Sequence, residues 1–426
     1  MKILDTITNF LRFRHDVGRE GHFLKGNAHY GVGKYDQAIQ EYTRALEIRP
    51  DFAEAYSNRG VVYQDKGEYA RAIQDYHKAI ELRPDYPEAL NNRGAAYNDE
   101  GEYDRAIQDF NKAISLRPDY PEVYNNRGVA YDDKGEYDRA IQDYEKAIAL
   151  KPDYPDAYGN RGVAYNNKGD QDRAIQDFDK AIALKPDYPA AYSNRGITYR
   201  RKGDYDRAIQ DYDKALALKP DYPVAYNNRG VAYDDKGEYD RAIQDFDKAL
   251  ALRPDYPDAY SNRGNAYNSK GEYDRAIKDY DKALALKPDY PEAYSNRGVA
   301  YLHKRDYDRA IKDLDIAIAL KPDYANAYSN RGNAYTGKGE PDLAIKDYDK
   351  ALDLRPDYPD AYYNRACAYS LKHDLEACIT DLKKAIGLDP SHIELGREDP
   401  DLEWAQQDPR VQALLGVDKS LEGTDQ

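Results

Sequence analysis

The tripeptide Asn-Arg-Gly recurs at Asn58, Asn92, Asn126, Asn160, Asn194, Asn228, Asn262, Asn296 and Asn330, always 34 residues apart. A tenth copy, Asn364 and Arg365, keeps the phase with Ala366 in place of the glycine. Gly26, Tyr30, Gly33, Ala38 and Pro50 mark a weaker first copy. Eleven units therefore run without insertion over 19–392 of the 426 residues. A period of this length holds one supersecondary unit and is too short for a domain with its own core, so neighbouring units must stack to bury their apolar faces. An ordinary globular fold is excluded at the outset.

Within one unit, 53–86, Tyr56, Gly60 and Tyr63 follow a three-to-four spacing, and so do Tyr69, Ala72, Ile73, Tyr76, Ala79 and Ile80. Each set marks one face of an amphipathic helix. Gly67 sits where the first helix needs a left-handed stop, Pro84 cannot continue the second, and Pro87 suits the first turn of the next, with Asp85 as its expected N-cap. Small residues Gly60, Ala72 and Ala79 let the two backbones approach, and tyrosines fill the space around them. This explains a composition of 44 Tyr against 7 Phe, 1 Met and 1 Trp.

The order Tyr56, Gly60, Tyr63, Ala72, Tyr76, Ala79, Pro84 resembles the tetratricopeptide repeat (TPR) family, and the resemblance covers all eleven copies. It implies an all-α TPR solenoid, a right-handed superhelix of helix-turn-helix repeats whose first helices line a concave groove. Members of the family are mostly adaptors or scaffolds. Departures are local: His22 replaces the first aromatic of the opening copy, Arg305 and His373 replace the inter-helix glycine, Leu314 and Leu382 the late aromatic, and Cys378 an alanine. The ninth and eleventh copies are thus the expected places of altered packing. Outside the repeats, 1–18 reads as an N-terminal capping helix or as a surface- or membrane-docking one. A C-terminal capping helix is expected over 393–416, with Leu402, Trp404, Val411, Leu414 and Leu415 as its apolar face, and 417–426 is a polar tail.

The Asn ladder is similar to that of the TPR region of the O-linked N-acetylglucosamine transferase, where amides at this place grip a peptide backbone. By that resemblance Asn58, Asn92, Asn126, Asn160, Asn194, Asn228, Asn262, Asn296, Asn330 and Asn364 are candidate peptide-binding residues. An amide offers donors and an acceptor together, which suits a peptide unit. The alternative is that these side chains cap, bridge or hydrate neighbouring helices. Acids near the start of the first helix (Glu54, Glu88, Glu122, Asp156, Asp258, Glu292, Asp360) and near its end (Asp65, Asp99, Asp132, Asp133, Asp234, Asp235) make the groove acidic if they face inward, favouring a basic or polar segment. Against the carboxylate-clamp pattern, Phe23, Glu88 and Asn92 stand where Lys, Lys and Arg are needed. A second ladder, Arg59, Arg93, Arg127 and successors, has Tyr three residues before and four after. It reads as inter-helix packing or ion pairing.

A formal charge of −15 opposes a nucleic-acid partner, and no stretch approaches the ~20 apolar residues of a membrane span. Two cysteines, Cys367 and Cys378, exclude a disulfide scaffold, read as buried thiols or a redox pair, and fit a reducing, cytoplasmic setting. Ala28 and Tyr35 break a phosphate-loop pattern around Gly26 and Lys34. His15, His22 and His29 are too widely spaced along a helix to share a metal. No cofactor and no enzymatic activity is expected. The expectation is a scaffold holding an extended peptide or partner protein in its groove; self-association as a structural module, or service as a regulatory arm for an enzyme in trans, are the alternatives. Copies opening at Pro121 and Pro223 are near-identical, which fits a recently amplified or engineered array.

Overall fold

In the computed structural model, which describes residues 20–417, the recurring element is a 13-residue helix followed by a 14-residue one, as in Ala53–Asp65 and Tyr69–Leu82. We call these the A and B helices of a repeat. The expected N-terminal capping helix, 1–18, and all but the first residue of the polar tail lie outside the described residues. No strand occurs among the described residues.

The turn between the helices is built by Gly67, whose φ of 75° is the left-handed value that glycine adopts without a Cβ clash. Its N–H donates to the Gln64 carbonyl and the Glu68 N–H to the Tyr63 carbonyl, which closes the end of the A helix. Arg305 and His373 adopt the same conformation, with φ of 57° and 62°, so the turn survives the loss of glycine and carries backbone strain instead. Eight A helices, among them Pro87–Asp99 and Pro121–Asp133, open on proline. The expected N-cap at Asp85 is displaced by one residue: Tyr86 holds that position, without a side-chain cap bond. Proline at the first helical position has no N–H to satisfy, which lowers the demand for a cap.

The core of each hairpin is formed by Ala72, Tyr76 and Ala79 and their equivalents, all fully buried. Gly60 lies against the Tyr76 ring so closely that a Cβ there would come within 2.7 Å of it. Contact at this range lets the aromatic side chain of the B helix reach the A-helix backbone, which is why small and aromatic residues pair across the hairpin. In the eleventh repeat both partners differ: Ala366 and Leu382 replace the Gly and Tyr, and both are fully buried.

The chain divides into two compact units, the first ending at Leu218 with the B helix of the sixth repeat and the second starting at Lys219, just before the seventh. Within each, successive A helices pack on one another, and no successive pair of B helices comes as close. That asymmetry puts A-helix side chains on the inner side of each stack. In the second unit, the residues after the last repeat form two short helices, His392–Glu398 and Pro409–Leu415, joined by 3-10 turns, in place of the single helix expected. Pro400 and Pro409 each open a new segment there, because neither ring fits inside a continuous helix. Leu402, Ala405, Val411 and Leu415 are fully buried against the eleventh repeat.

Candidate functional site

The Arg ladder is structural. In all ten repeats that carry it, from Arg59 with Asp75 to Arg365 with Asp381, the guanidinium donates two hydrogen bonds of 2.6–2.8 Å to an Asp of its own B helix. These aspartates are 4–7% exposed. The remaining amino group reaches back to the preceding repeat, as from Arg59 to Thr43, Arg127 to Asn111 and Arg331 to Asp315. Tyr56 and Tyr63 flank the Arg59 guanidinium at 5.6 and 6.0 Å, as their spacing predicts. A bidentate buried pair fixes hairpin geometry and costs several kcal/mol to break from one side. In the opening repeat, where Lys25 holds the Arg place, Glu41 is instead bound by His22 at 2.6 Å. That pair and the His22 hydrogen bond hold the Glu41 carboxyl below its ordinary range.

The Asn ladder is half-buried, and much of its hydrogen bonding runs between repeats. Asn126 Nδ2 donates to Asn91 Oδ1 and Asn160 Nδ2 to Asn125 Oδ1, each at 3.0 Å. Asn91 and Asn125 in turn lean on Asn92 and Asn126 at 3.3 and 3.4 Å. A relay of amides thus crosses the third, fourth and fifth repeats. In the second unit Asn262 donates to Asn227 and Asn296 to Asn265, and near the start of the first unit Asn58 donates to Asn27. Asn92 and Asn228 only accept from Asn91 and Asn227 of their own repeats, and Asn194, Asn330 and Asn364 make no amide bond among the described residues: Ser57, Ser193, Gly159, Ser295 and Ser329 hold the Asn91 place in the repeats before these five, although Asn333 stands at the Asn265 place before Asn364. The role of the partner amides, Asn91, Asn125 and Asn227 beside the ladder and Asn27 and Asn265 three residues after its place, as acceptors between repeats is not legible in the sequence, although they recur at the same period.

The acids divide into two groups. Of those opening the A helix, Glu54, Glu88, Glu122 and Glu292 are tied to a base at the end of their own B helix, as in Glu88 with Arg117 at 2.6 Å and Glu292 with Lys321 at 3.3 Å, and Asp360 meets His392 at 3.2 Å, so these five add little negative field. Those closing it form another inter-repeat ladder: Tyr30 donates to Asp65, Gln64 to Asp99 and Asn98 to Asp133, at 2.8–3.0 Å. In the fourth and seventh repeats the donor place is itself acidic. Burial, then the charge of the neighbouring Asp133, pushes the Asp132 carboxyl up to about 6, and burial with Asp235 does the same to Asp234.

Inside the second unit the ninth to eleventh repeats and the cap line an open cavity of about 760 Å³, with Asn330, Asn333, Asn364, Cys367, Asp399 and Asp401 in its wall. Tyr348 donates to Asn333 Oδ1 at 2.8 Å, and Tyr363 donates to Asp399 at 2.7 Å. Cys367 and Cys378 are free and buried, and burial raises both thiols, Cys378 up to about 12, so neither is an activated nucleophile. Among the described residues no group of three or more His, Cys, Asp or Glu could hold a metal, and no helix is long and apolar enough to cross a membrane.

The tetratricopeptide repeat profile matches residues 53–86, 121–154, 223–256, 291–324, 325–358 and 359–392, and a TPR repeat profile matches 26–67, 95–135, 164–203, 196–237 and 264–304. The chain belongs to the tetratricopeptide repeat family. This TPR chain matches no curated protein. A solved chain of the APC/C hetero-tetramer Cut9–Hcn1 is similar over 93% of this chain and 96% of its own, with a TM-score of 0.52 and 15% identity, which shows the shared fold. The yeast Tom70 structure (TM-score 0.46, 20% identity, 95% of this chain and 100% of that one) is also similar. A TPR protein from Parabacteroides merdae matches with TM-score 0.48 and 21% identity, over 58% of this chain and 98% of that one.

Proposed function

We propose that this TPR chain is a protein-interaction scaffold whose A-helix face holds an extended segment of a partner protein. The observation that carries the reading is the state of the ladder amides. Each has two N–H donors and an acceptor oxygen, and the inter-repeat bonds use at most one N–H and part of the oxygen. What remains on a half-exposed amide is one donor and one acceptor, the complement of a peptide unit. The relay also fixes the amide planes before any ligand arrives, which lowers the ordering cost of binding. Adjacent A helices ~8–10 Å apart would meet an extended peptide, rising ~3.3 Å per residue, about every third residue. Such contacts read backbone and not side chains. Discrimination then falls to places that vary between repeats, among them the acidic pairs Asp132–Asp133 and Asp234–Asp235, which favour basic or polar segments.

The test uses the three amides that hold no neighbour. Peptides selected from a random display library against the native chain are titrated against the triple variant Asn194→Ala, Asn330→Ala, Asn364→Ala. Binding should weaken at least about tenfold, as expected for three lost polar contacts, with circular dichroism unchanged. Affinity equal to that of the native chain removes the ladder from recognition.

A further inference from the structure

Where the cap folds over the eleventh repeat it leaves a smaller hollow of about 300 Å³, walled by Ser370, His373, Asp401, Glu403, Trp404 and Gln407 among others. None of its lining residues is Lys or Arg. Ser370 is fully buried, and its hydroxyl has no hydrogen-bond partner. It stands at the place from which Tyr30, Gln64 and Asn98 reach a carboxylate of the following repeat. After the last repeat that carboxylate is missing, and Asp401 of the cap lines the hollow instead. Asp401 is held by its backbone N–H, which donates to Asp399 Oδ1 at 2.9 Å, while its carboxylate has no hydrogen bond or ion pair among the described residues. Trp404, the one tryptophan of the chain, stacks on His373 with ring centroids 4.6 Å apart and planes 22° from parallel. The stack fixes an indole in the wall of an acidic hollow.

We propose that this hollow binds a primary ammonium group, held by the Asp401 carboxylate, the Ser370 hydroxyl oxygen and the Trp404 ring. An ammonium carries three donors and no acceptor, so it satisfies the carboxylate and the orphaned hydroxyl together, and its charge is drawn to the indole ring. Glu403 adds negative charge at the exposed rim. Burial and the nearby Asp399 already raise the Asp401 carboxyl, and a bound cation would relieve the cost of keeping it ionised. Asp401 also lines the cavity that holds Asn330 and Asn364, but no ladder amide is among the groups that hold the ammonium, so the site stands whether or not those amides grip a peptide. A lysine side chain and a chain N-terminus both present this group.

Because Trp404 is the one indole, its fluorescence reports the hollow directly. The full-length protein is titrated at constant ionic strength with Nα-acetyl-lysine methylamide, with its ε-acetylated derivative, and with glycinamide, which carries only a terminal amine. A saturable change in emission with the lysine derivative and none with the acetylated one is the expected result. The same change with glycinamide alone would assign the site to a chain terminus, within the same chemistry. Asp401→Asn should weaken the response roughly tenfold and Ser370→Ala roughly threefold. Equal saturable responses from acetylated and free lysine, no saturable response to either amine, or undiminished affinity in Asp401→Asn with an unchanged circular dichroism spectrum each overturn the proposal. If Asp401→Asn disturbs the cap, the contrast between the free and acetylated ligands on the native chain decides. Loss of library peptides on substituting the ladder, with the amine response intact, would separate the two sites.

Discussion

The fourth repeat, 121–154, and the eleventh, 359–392, share the Arg–Asp bidentate pair, buried alanines and the paired helices, yet differ at the helix crossing, at the turn and at the end of the A helix. In the fourth, Gly128 packs on Tyr144, Asp132 stands beside Asp133, and Gly135 turns the chain. In the eleventh the same places hold Ala366, Leu382, Ser370, Leu371 and His373. The ion pair belongs to the hairpin and is retained in every repeat after the first. The Gly128–Tyr144 crossing and the Gly135 turn also lie within the hairpin, whereas the place of Asp132 and Asp133 faces the adjoining repeats, and both kinds of place change together in the repeat that meets the cap.

The sharpest test of this division is the helix crossing. A Cβ on Gly128 would lie 2.6 Å from the Tyr144 ring, too close for the ring to yield without moving the helix. Gly128→Ala should therefore cost about 2 kcal/mol through overpacking. Adding Tyr144→Leu, the pairing already present in the eleventh repeat, should recover most of it, because a leucine can turn aside by changing rotamer. The reverse change, Ala366→Gly, leaves the crossing open and should cost no more than the ~1 kcal/mol of helix propensity. Local hydrogen exchange of the fourth and eleventh repeats is the appropriate measurement, since a repeat array need not unfold as one unit. Equal losses at both sites would mean that the two crossings are not different in kind.

A smaller effect separates the two repeats by pH. The Asp132 carboxyl is raised to about 6, so its contribution to stability is fully present below its unfolded value near pH 4 and is lost as pH rises through 6. Asp132→Asn should stabilise the fourth repeat by ~1 kcal/mol at pH 7 and leave it unchanged at pH 4. Asparagine already holds that place in the third and fifth repeats, at Asn98 and Asn166, so the amide fits. The eleventh repeat has Ser370 there and should show no titration of this origin. Melting temperatures at pH 4 and pH 7 for the native chain and the variant check the sign. A gain of equal size at both pH values would assign the effect to packing and not to charge.

These comparisons also mark where the sequence could be read and where it could not. Period, helix pairing, the left-handed turn at Gly67 and the role of the Arg ladder follow from spacing alone, because each is decided within one 34-residue unit. The N-cap expected at Asp85 failed by a single position, since proline at the first helical place alters what the helix end needs. The Asn ladder was visible, but its partners were not: whether Asn126 faces a ligand or Asn91 depends on the distance between repeats, which no spacing within a repeat encodes. Asp399 and Asp401 were hidden further still. They sit among ordinary polar residues in the chain and reach the cavity wall only because Pro400 breaks the cap into a turn there.

The smallest expected difference compares the two strained turns with each other. Arg305 and His373 both hold left-handed backbone where the fourth repeat has Gly135 at a φ of 77°. Arg305→Gly removes a Cβ clash worth ~1 kcal/mol, partly offset by the extra freedom glycine gives the unfolded chain, for a net gain of about 0.5 kcal/mol. His373→Gly relieves the same strain but also removes the ring that stacks on Trp404, an aromatic contact worth ~0.5–1.5 kcal/mol. The gain should vanish or change sign, and Trp404 emission should shift as its ring is exposed. If His373→Gly stabilises as much as Arg305→Gly and leaves the emission alone, the stack contributes nothing. The histidine would then be a tolerated departure from glycine and not part of the cap.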